Sequence, residues 1–211
     1  MFSTILFDID GTIIDTEDVI ISSLQEAVSQ VTGRQLKHAD LQFTLGIPSS
    51  VALKQMQLTP ADQQAVQSLW AKLLAKKQKS VRVFATMRRT LAHLQHRGVK
   101  LGIITSKNDE ELEHEFNRFG LNDYFDVLVT ADAKVKPKPS GEPIAFALHE
   151  LNSTKRDTLY VGDSRYDLQS AQDAGVSFAV ATWGANDLSD FGQADYMLMQ
   201  PESILDLAVI K

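Results

Sequence analysis

Residues 5–12 have the sequence ILFDIDGT, in which a short apolar run ends in two aspartates and a glycine. An apolar run bounded by turn residues is typical of a buried strand. Similar runs follow at residues 100–104, 125–129, 158–161, 176–180 and 196–198. Segments with helical periodicity lie between them, at residues 88–96, 109–119, 142–151 and 166–174. This alternation predicts an α/β fold with a doubly wound, Rossmann-like parallel sheet.

The first connection of this sheet is far longer than a crossover requires. The first run ends near Asp8 and the second begins near Lys100, whereas a parallel crossover needs only about a dozen residues. Residues 16–81 are rich in helix formers, and their apolar side chains recur at helical spacing, as at Val19, Ile20, Leu24 and Val28. We therefore predict a discontinuous core, residues 1–15 and 82–211, with an α-helical cap domain at residues 16–81 inserted into it.

Composition and charge exclude several classes of protein. The chain has 211 residues, a formal net charge of -6 and no basic block, so we expect no nucleic-acid partner. The absence of cysteine excludes disulfides, thiolate metal sites and cysteine nucleophiles. The N-terminus lacks a basic region, and no apolar stretch approaches the roughly 18 residues of a membrane span. We expect a cytoplasmic protein with no membrane partner, either a monomer or a homodimer.

Polar clusters follow the predicted strands, where an open parallel sheet binds its ligands. They have the sequences DIDGT at 8–12, TSKN at 105–108, KVKPKP at 134–139 and GDSRYD at 162–167. Carboxylates gathered at one sheet edge repel one another and require a cation. Oxygen ligands suit Mg²⁺, which typically bridges carboxylates to a phosphate. The sequence therefore predicts a Mg²⁺ cofactor and a small phosphorylated metabolite as the substrate, with candidate carboxylates at Asp8, Asp10, Asp163 and Asp167.

A hydroxyl and lysines accompany these carboxylates. Thr105 follows a strand and precedes a helix, where hydroxyl and backbone N–H groups can hold a phosphate oxygen. A lysine after the next strand would neutralise a second phosphate oxygen. We expect Lys107 and Lys134 to face solvent instead.

Taken together, the motifs DxDGT, hydrophobic-Thr, Lys-Pro and GDSxxD resemble those of the haloacid dehalogenase superfamily of phosphohydrolases. The position of the insertion resembles the subgroup with a helical cap, which includes phosphoglycolate phosphatases, related pyrophosphatases and β-phosphoglucomutases. The resemblance implies that Asp8 attacks phosphorus to form an aspartyl-phosphate. It implies that Asp10 is the general acid and base and that its carbonyl touches the metal.

The resemblance also implies two binding sites in the core. The metal site would comprise Asp8, Asp10, Asp163 and Asp167, the last directly or through water. The catalytic and phosphate-binding groups would come from Asp8, Gly11, Thr105, Ser106 and one lysine.

Two lysines match the Lys-Pro motif, Lys136 and Lys138. In close relatives the lysine precedes Pro-x-Pro-Glu-Pro and lies eight residues after the threonine that ends the preceding strand. The separation from Thr130 to Lys138 fits this pattern, so we predict Lys138. Gly141 replaces the usual proline, which predicts a less rigid loop. A second departure is the segment VFATM at 83–87, where relatives commonly carry a Pro-Gly turn.

Three functions share these motifs. A phosphatase is the leading hypothesis, for a phosphoglycolate-like phosphomonoester or pyrophosphate. A β-phosphoglucomutase-like phosphotransferase is the alternative, although Ile20 stands where such mutases tend to carry a histidine. A non-catalytic, phosphate-binding regulatory module is disfavoured because each catalytic position of the motifs carries the residue type that the chemistry requires. Gly46, Arg34 and Lys54 are candidate substrate contacts in the cap, although the basic side chains are expected to be solvated.

Overall fold

The computed structural model describes residues 1–209 and divides into two compact units. The core comprises residues 1–15 and the chain from Val83 onward, and the helical cap comprises Thr16–Arg82. Among the described residues, no helix combines the length and the apolar character needed to cross a membrane.

A parallel sheet of six strands forms the centre of the core. Its strands are β1 (Thr4–Phe7), β4 (Lys100–Ile104), β5 (Val127–Val129), β6 (Thr158–Gly162), β7 (Ser177–Ala181) and β8 (Tyr196–Leu198). The spatial order is β5-β4-β1-β6-β7-β8, so the order reverses around β1. Two short strands, β2 (Ile14–Asp15) and β3 (Arg82–Val83), pair separately. The predicted doubly wound α/β fold is confirmed, and β5 begins two residues later than predicted.

The core helices are α4 (Met87–His96), α5 (Asp109–Glu115), α6 (Glu142–Glu150) and α7 (Arg165–Ala174). Apolar side chains of α6 and α7, including Ile144 and Leu168, pack on Tyr160 and Phe178 of the sheet. All the side chains of β1 and β6 are buried, which explains their nearly continuous apolar sequence.

Helix α5 is shorter than its predicted range of 109–119. It ends at Glu115, and a 3-10 turn follows at Asn117–Phe119. Asn117 and Gly120 favour turn conformations over helix, and Gly120 adopts a left-handed conformation with φ of 59°. The amphipathic pattern continues through this turn because Phe116 is fully buried.

The helical cap contains α1 (Glu17–Thr32), a 3-10 segment (His38–Thr44), α2 (Ser49–Gln55) and α3 (Pro60–Lys77). The Thr59 side chain accepts a hydrogen bond from the backbone N–H of Asp62, and Pro60 occupies the first turn of α3. An apolar cluster joins the helices, and its buried members include Ile21, Leu24, Val28, Leu53, Val66 and Trp70. The predicted inserted helical domain is confirmed.

Candidate active site

The candidate site lies at the carboxyl ends of three neighbouring strands. Asp8 directly follows β1, Thr105 follows β4 and Asp163 follows β6, and β1 pairs with both other strands. Asp167 lies in the first turn of α7. The side chains of Asp8, Asp163 and Asp167 each place a carboxylate oxygen within 4.8 Å of the others. The structure therefore brings together carboxylates from distant parts of the sequence.

Lys138 lies among these carboxylates, whereas Lys136 does not. The Nζ atom of Lys138 is 2.8 Å from Oδ1 of Asp8 and 2.7 Å from Oδ1 of Asp167. Its side chain is buried, with 4% of the residue exposed. Lys136 is exposed, and its Nζ lies 3.6 Å from Oε1 of Glu142. Of the two lysines that match the motif, only Lys138 contacts the candidate nucleophile.

The loop that carries Lys138 is fastened to α7 near Gly141. The backbone N–H of Gly141 donates to Oδ2 of Asp173 at 2.7 Å. A β-carbon at residue 141 would lie 2.4 Å from the backbone nitrogen of Ala174. A proline at this position would lose the hydrogen bond and clash with α7. Glycine therefore allows the close approach of this loop to α7 and the hydrogen bond that attaches it to that helix.

Asp167 is fully buried and hydrogen bonded at both carboxylate oxygens. Oδ1 accepts from Lys138 and from the Tyr160 hydroxyl at 2.7 Å. Oδ2 accepts from the backbone N–H of Ser164 at 3.0 Å and from its hydroxyl. Tyr160 was not predicted from the sequence. The available signal was a tyrosine in a wholly buried strand, since its hydroxyl must find a partner there.

The Gly-Thr pair of the first motif supports Asp163. Gly11 has a φ of 78°, and a β-carbon there would lie 2.1 Å from Oδ2 of Asp163. The hydroxyl of Thr12 donates to Oδ1 of Asp163 at 2.8 Å. The indole N–H of Trp183 donates to the Thr12 carbonyl at 3.0 Å and holds this loop. The first motif thus positions the carboxylate of Asp163, which belongs to the fourth motif. This role of Thr12 was not predicted from the sequence.

The threonine after β4 is buried, and Ser106 beside it is half-buried. The Oγ1 atom of Thr105 accepts a hydrogen bond from the backbone N–H of Lys107 at 3.2 Å. This contact fixes the hydroxyl at the strand end next to Asp8.

The prediction that Lys107 faces solvent is wrong. Only 8% of the residue is exposed. Its Nζ lies 3.0 Å from Oδ2 of Asp10 and also pairs with Oε2 of Glu115 on α5. Lys107 turns inward because two carboxylates at this edge of the sheet provide counter-charges for a buried ammonium group. Lys134, predicted in the same way, is exposed.

Burial dominates the ionisation of the acidic cluster. It raises the pKa of Asp8 to about 7, with Asp167 and Asp10 adding to the shift and Lys138 opposing it. Burial, Asp8 and Asp167 likewise raise the pKa of Asp163 well above its usual range. Burial alone would lower the pKa of Lys138, but the negative charges of Asp167 and Asp8 raise it. The lysine therefore stays charged amid an excess of carboxylates.

The candidate cap residues show no comparable cluster. Arg34 is exposed, and its guanidinium donates to the Met56 carbonyl at 3.3 Å within the cap. Lys54 is exposed on α2, and Gly46 adopts a φ of 79° in the turn before that helix. The hydrogen bond of Arg34 supports a structural role for that residue, and the positive φ of Gly46 accounts for glycine at this turn.

The chain is similar to known proteins along nearly its whole length. The chain is 30% identical to the pyrophosphatase PpaX of Bacillus velezensis, across 99% of this chain and 97% of that protein. It is also 30% identical to the pyrophosphatase PpaX of Halalkalibacterium halodurans, across 99% and 98% of the two chains. A crystal structure from Lactobacillus plantarum, provisionally assigned as a phosphoglycolate phosphatase, has a TM-score of 0.89 at 25% identity. That alignment covers 98% of this chain and 99% of the other.

The family model that describes haloacid dehalogenase-like hydrolases matches residues 5–181. This range begins in β1 and extends through β7, so it contains all four motifs. The predicted resemblance is confirmed, and the chain belongs to the haloacid dehalogenase-like hydrolase family.

Proposed function

We propose that the protein is a Mg²⁺-dependent phosphatase that hydrolyses a small phosphorylated metabolite through an aspartyl-phosphate on Asp8. The observation that carries this proposal is the cluster formed by Asp8, Asp163, Asp167 and Lys138. When all three carboxylates are ionised, they leave an excess of two negative charges over the single ammonium group, and burial together with this excess raises the pKa values of Asp8 and Asp163. A divalent cation held by these carboxylates would balance that excess and allow an anionic phosphate to approach Asp8.

The donor set of the cluster fits Mg²⁺, which prefers hard oxygen ligands and retains several waters. Asp8, Asp163 and the backbone carbonyl of Asp10 are the proposed ligands. Both oxygens of Asp167 already accept hydrogen bonds, which favours a contact through water for this residue. When bound, Mg²⁺ would neutralise charge on the transferring phosphoryl group and on its attacking carboxylate.

The first half-reaction transfers the phosphoryl group to the protein. A carboxylate oxygen of Asp8 forms a bond to phosphorus, and the bond from phosphorus to the leaving oxygen breaks. Asp10 gives its proton to that leaving oxygen. Lys138 and the hydroxyl of Thr105 stabilise charge on the phosphoryl oxygens.

The second half-reaction releases phosphate. A water oxygen attacks phosphorus, Asp10 accepts a proton from that water, and the bond between phosphorus and Asp8 breaks. The products are inorganic phosphate and the free Asp8 carboxylate, so atoms and charge return to the starting state of the protein. One carboxyl group at Asp10 thus serves in turn as acid and base.

We propose pyrophosphate and phosphoglycolate as the first substrates to test. The names of the two PpaX relatives support pyrophosphate, and the provisional name of the Lactobacillus plantarum structure supports phosphoglycolate. Residue 20 disfavours the mutase alternative. Ile20 packs against the apolar cluster of the cap and offers no imidazole for proton transfer.

Phosphate release from pyrophosphate, phosphoglycolate and p-nitrophenyl phosphate tests the proposal. We expect turnover with Mg²⁺, none after chelation with EDTA, and a loss of at least about 10³-fold in Asp8→Asn. Turnover that survives Asp8→Asn would refute the aspartyl-phosphate. Interconversion of β-glucose 1-phosphate and glucose 6-phosphate without phosphate release would instead support the mutase.

A further inference from the structure

We propose that Lys107, held by Glu115, is a positioning residue that fixes the carboxylate of Asp10 for both proton transfers. The inference rests on the proposed function, because it concerns the group that serves there as acid and base. Its structural basis is a buried chain of contacts from Glu115 through Lys107 to Asp10.

The chain of contacts joins three elements of the core. Asp10 lies just beyond β1, and Lys107 lies just beyond β4. Glu115 is the last residue of α5, one turn after Glu111. The start of α5 is fixed by reciprocal hydrogen bonds between Asn108 and Glu111. Glu115 is therefore held at a defined distance from the loop that carries Lys107.

Burial of Lys107 is costly unless the ammonium group is paired on more than one side. The backbone N–H of Lys107 donates a hydrogen bond to the hydroxyl of Thr105, which fixes the backbone from which the lysine side chain extends. The ammonium group then lies between Asp10 and Glu115, so its position is set from the backbone and from both partners. A lysine with only a solubilising role would lie outward, as Lys134 does.

The two oxygens of Asp10 differ in their surroundings. Oδ2 pairs with Lys107 at 3.0 Å, whereas Oδ1 is buried and has no hydrogen-bond partner among residues 1–209. A buried carboxylate oxygen without a partner is unfavourable and rare outside functional sites. By holding Oδ2, Lys107 leaves Oδ1 as the oxygen that exchanges a proton with the leaving group and with water.

Two substrates with different leaving groups distinguish a positioning role of Lys107 from a general structural role. The p-nitrophenolate group departs without a proton, so phosphorylation of Asp8 by p-nitrophenyl phosphate does not need Asp10. The later attack of water still needs Asp10 as the base. Phosphoglycolate has an alkyl leaving oxygen and needs Asp10 in both half-reactions.

The test uses Lys107→Met, Lys107→Arg, Glu115→Gln and the exposed control Lys134→Met. We expect Lys107→Met to lower steady-state kcat by about 10²-fold on both substrates. With p-nitrophenyl phosphate it should also show a rapid burst of about one p-nitrophenolate per protein, followed by slow turnover. Lys107→Arg should recover part of the rate, Glu115→Gln should show the same burst with a smaller loss, and Lys134→Met should match the wild type.

Several results would overturn the inference. One is an equal loss on both substrates without a burst, which is the result expected if Lys107 only supports the fold or only binds phosphate. A raised KM with unchanged kcat would also place Lys107 on the substrate and not on Asp10. If Lys107→Met does not fold, an unchanged burst pattern in Glu115→Gln would contradict the proposal. Wild-type turnover that is sensitive to Asp8→Asn shows in each case that the proposed function itself stands.

Discussion

The core and the helical cap differ in what they bury. The core buries the acidic and basic side chains of Asp8, Lys107, Lys138 and Asp167. Across residues 16–82, the buried polar side chains are only the hydroxyls of Thr16, Ser23 and Thr44. Burying charge lowers stability unless the groups are paired and hydrogen bonded. The core therefore holds its charges in a costly arrangement, which points to chemistry, whereas the interior of the cap is formed mainly by apolar packing.

The comparison is sharpest at the two lysines of the Lys-Pro motif. Replacing buried Lys138 by alanine removes the counter-charge of Asp8 and Asp167 and a donor for the phosphoryl group. We expect phosphate release to fall by at least about 10³-fold. Replacing exposed Lys136 by alanine should change the rate by less than about twofold. Steady-state assays with Mg²⁺ compare the two variants, and equal losses would remove the distinction between them.

The chemistry of the core could be predicted largely because strand ends leave little freedom. Asp8, Thr105 and Asp163 directly follow apolar runs, and parallel strands bring such positions to one edge. The resemblance predicts Lys138 from the pattern after the lysine and from its separation from Thr130, and the structure places Lys138 against Asp8. Nothing comparable exists in the cap, where apolar residues at helical spacing predict helices without indicating what the exposed side chains bind.

The failures within the core also have physical causes. The prediction that Lys107 faces solvent failed because a long, flexible side chain can point either way from the same backbone position. Its burial depends on Glu115, whose position depends on where α5 begins and ends. Tyr160 belongs to an apolar strand, and its hydroxyl meets Asp167 only after α7 packs on the sheet. Both contacts join elements that the sequence does not place relative to each other.

The stability of the core should depend on pH differently from the stability of the cap. The pKa of Asp8 is about 7 in the folded core and ordinarily 3.8, so between those values the folded state holds a proton that the unfolded chain releases. The contribution of Asp8 to the stability of the metal-free core should therefore be fully present below about pH 4 and be lost as the pH rises to about 7, a loss on the order of a few kcal/mol. The cap buries no ionisable side chain in residues 16–82 and should not follow this trend.

Hydrogen exchange measured by mass spectrometry, with EDTA present and intrinsic rates corrected for pH, reports on the two units separately. In Asp8→Asn, the decline in core protection should become shallower. Added Mg²⁺ should restore protection of the wild-type core at pH 7, since a ligand that binds the folded state stabilises it. A cap that loses protection in parallel with the core would contradict the distinction between the two units.

The smallest expected effect concerns backbone strain and does not involve buried charge. Thr86 has a φ of 65°, a left-handed conformation that is unfavourable for a β-branched residue. It lies in the segment 83–87, which departs from the Pro-Gly turn of the resembled family. Its hydroxyl donates to Glu202, which also pairs with Arg89. Alanine and glycine both remove that hydrogen bond, but only glycine relieves the strain. We therefore expect Thr86→Gly to be more stable than Thr86→Ala by about 1 kcal/mol in urea unfolding. Equal stabilities would mean that the hydrogen bond to Glu202, and not the backbone, determines the energetics at this position.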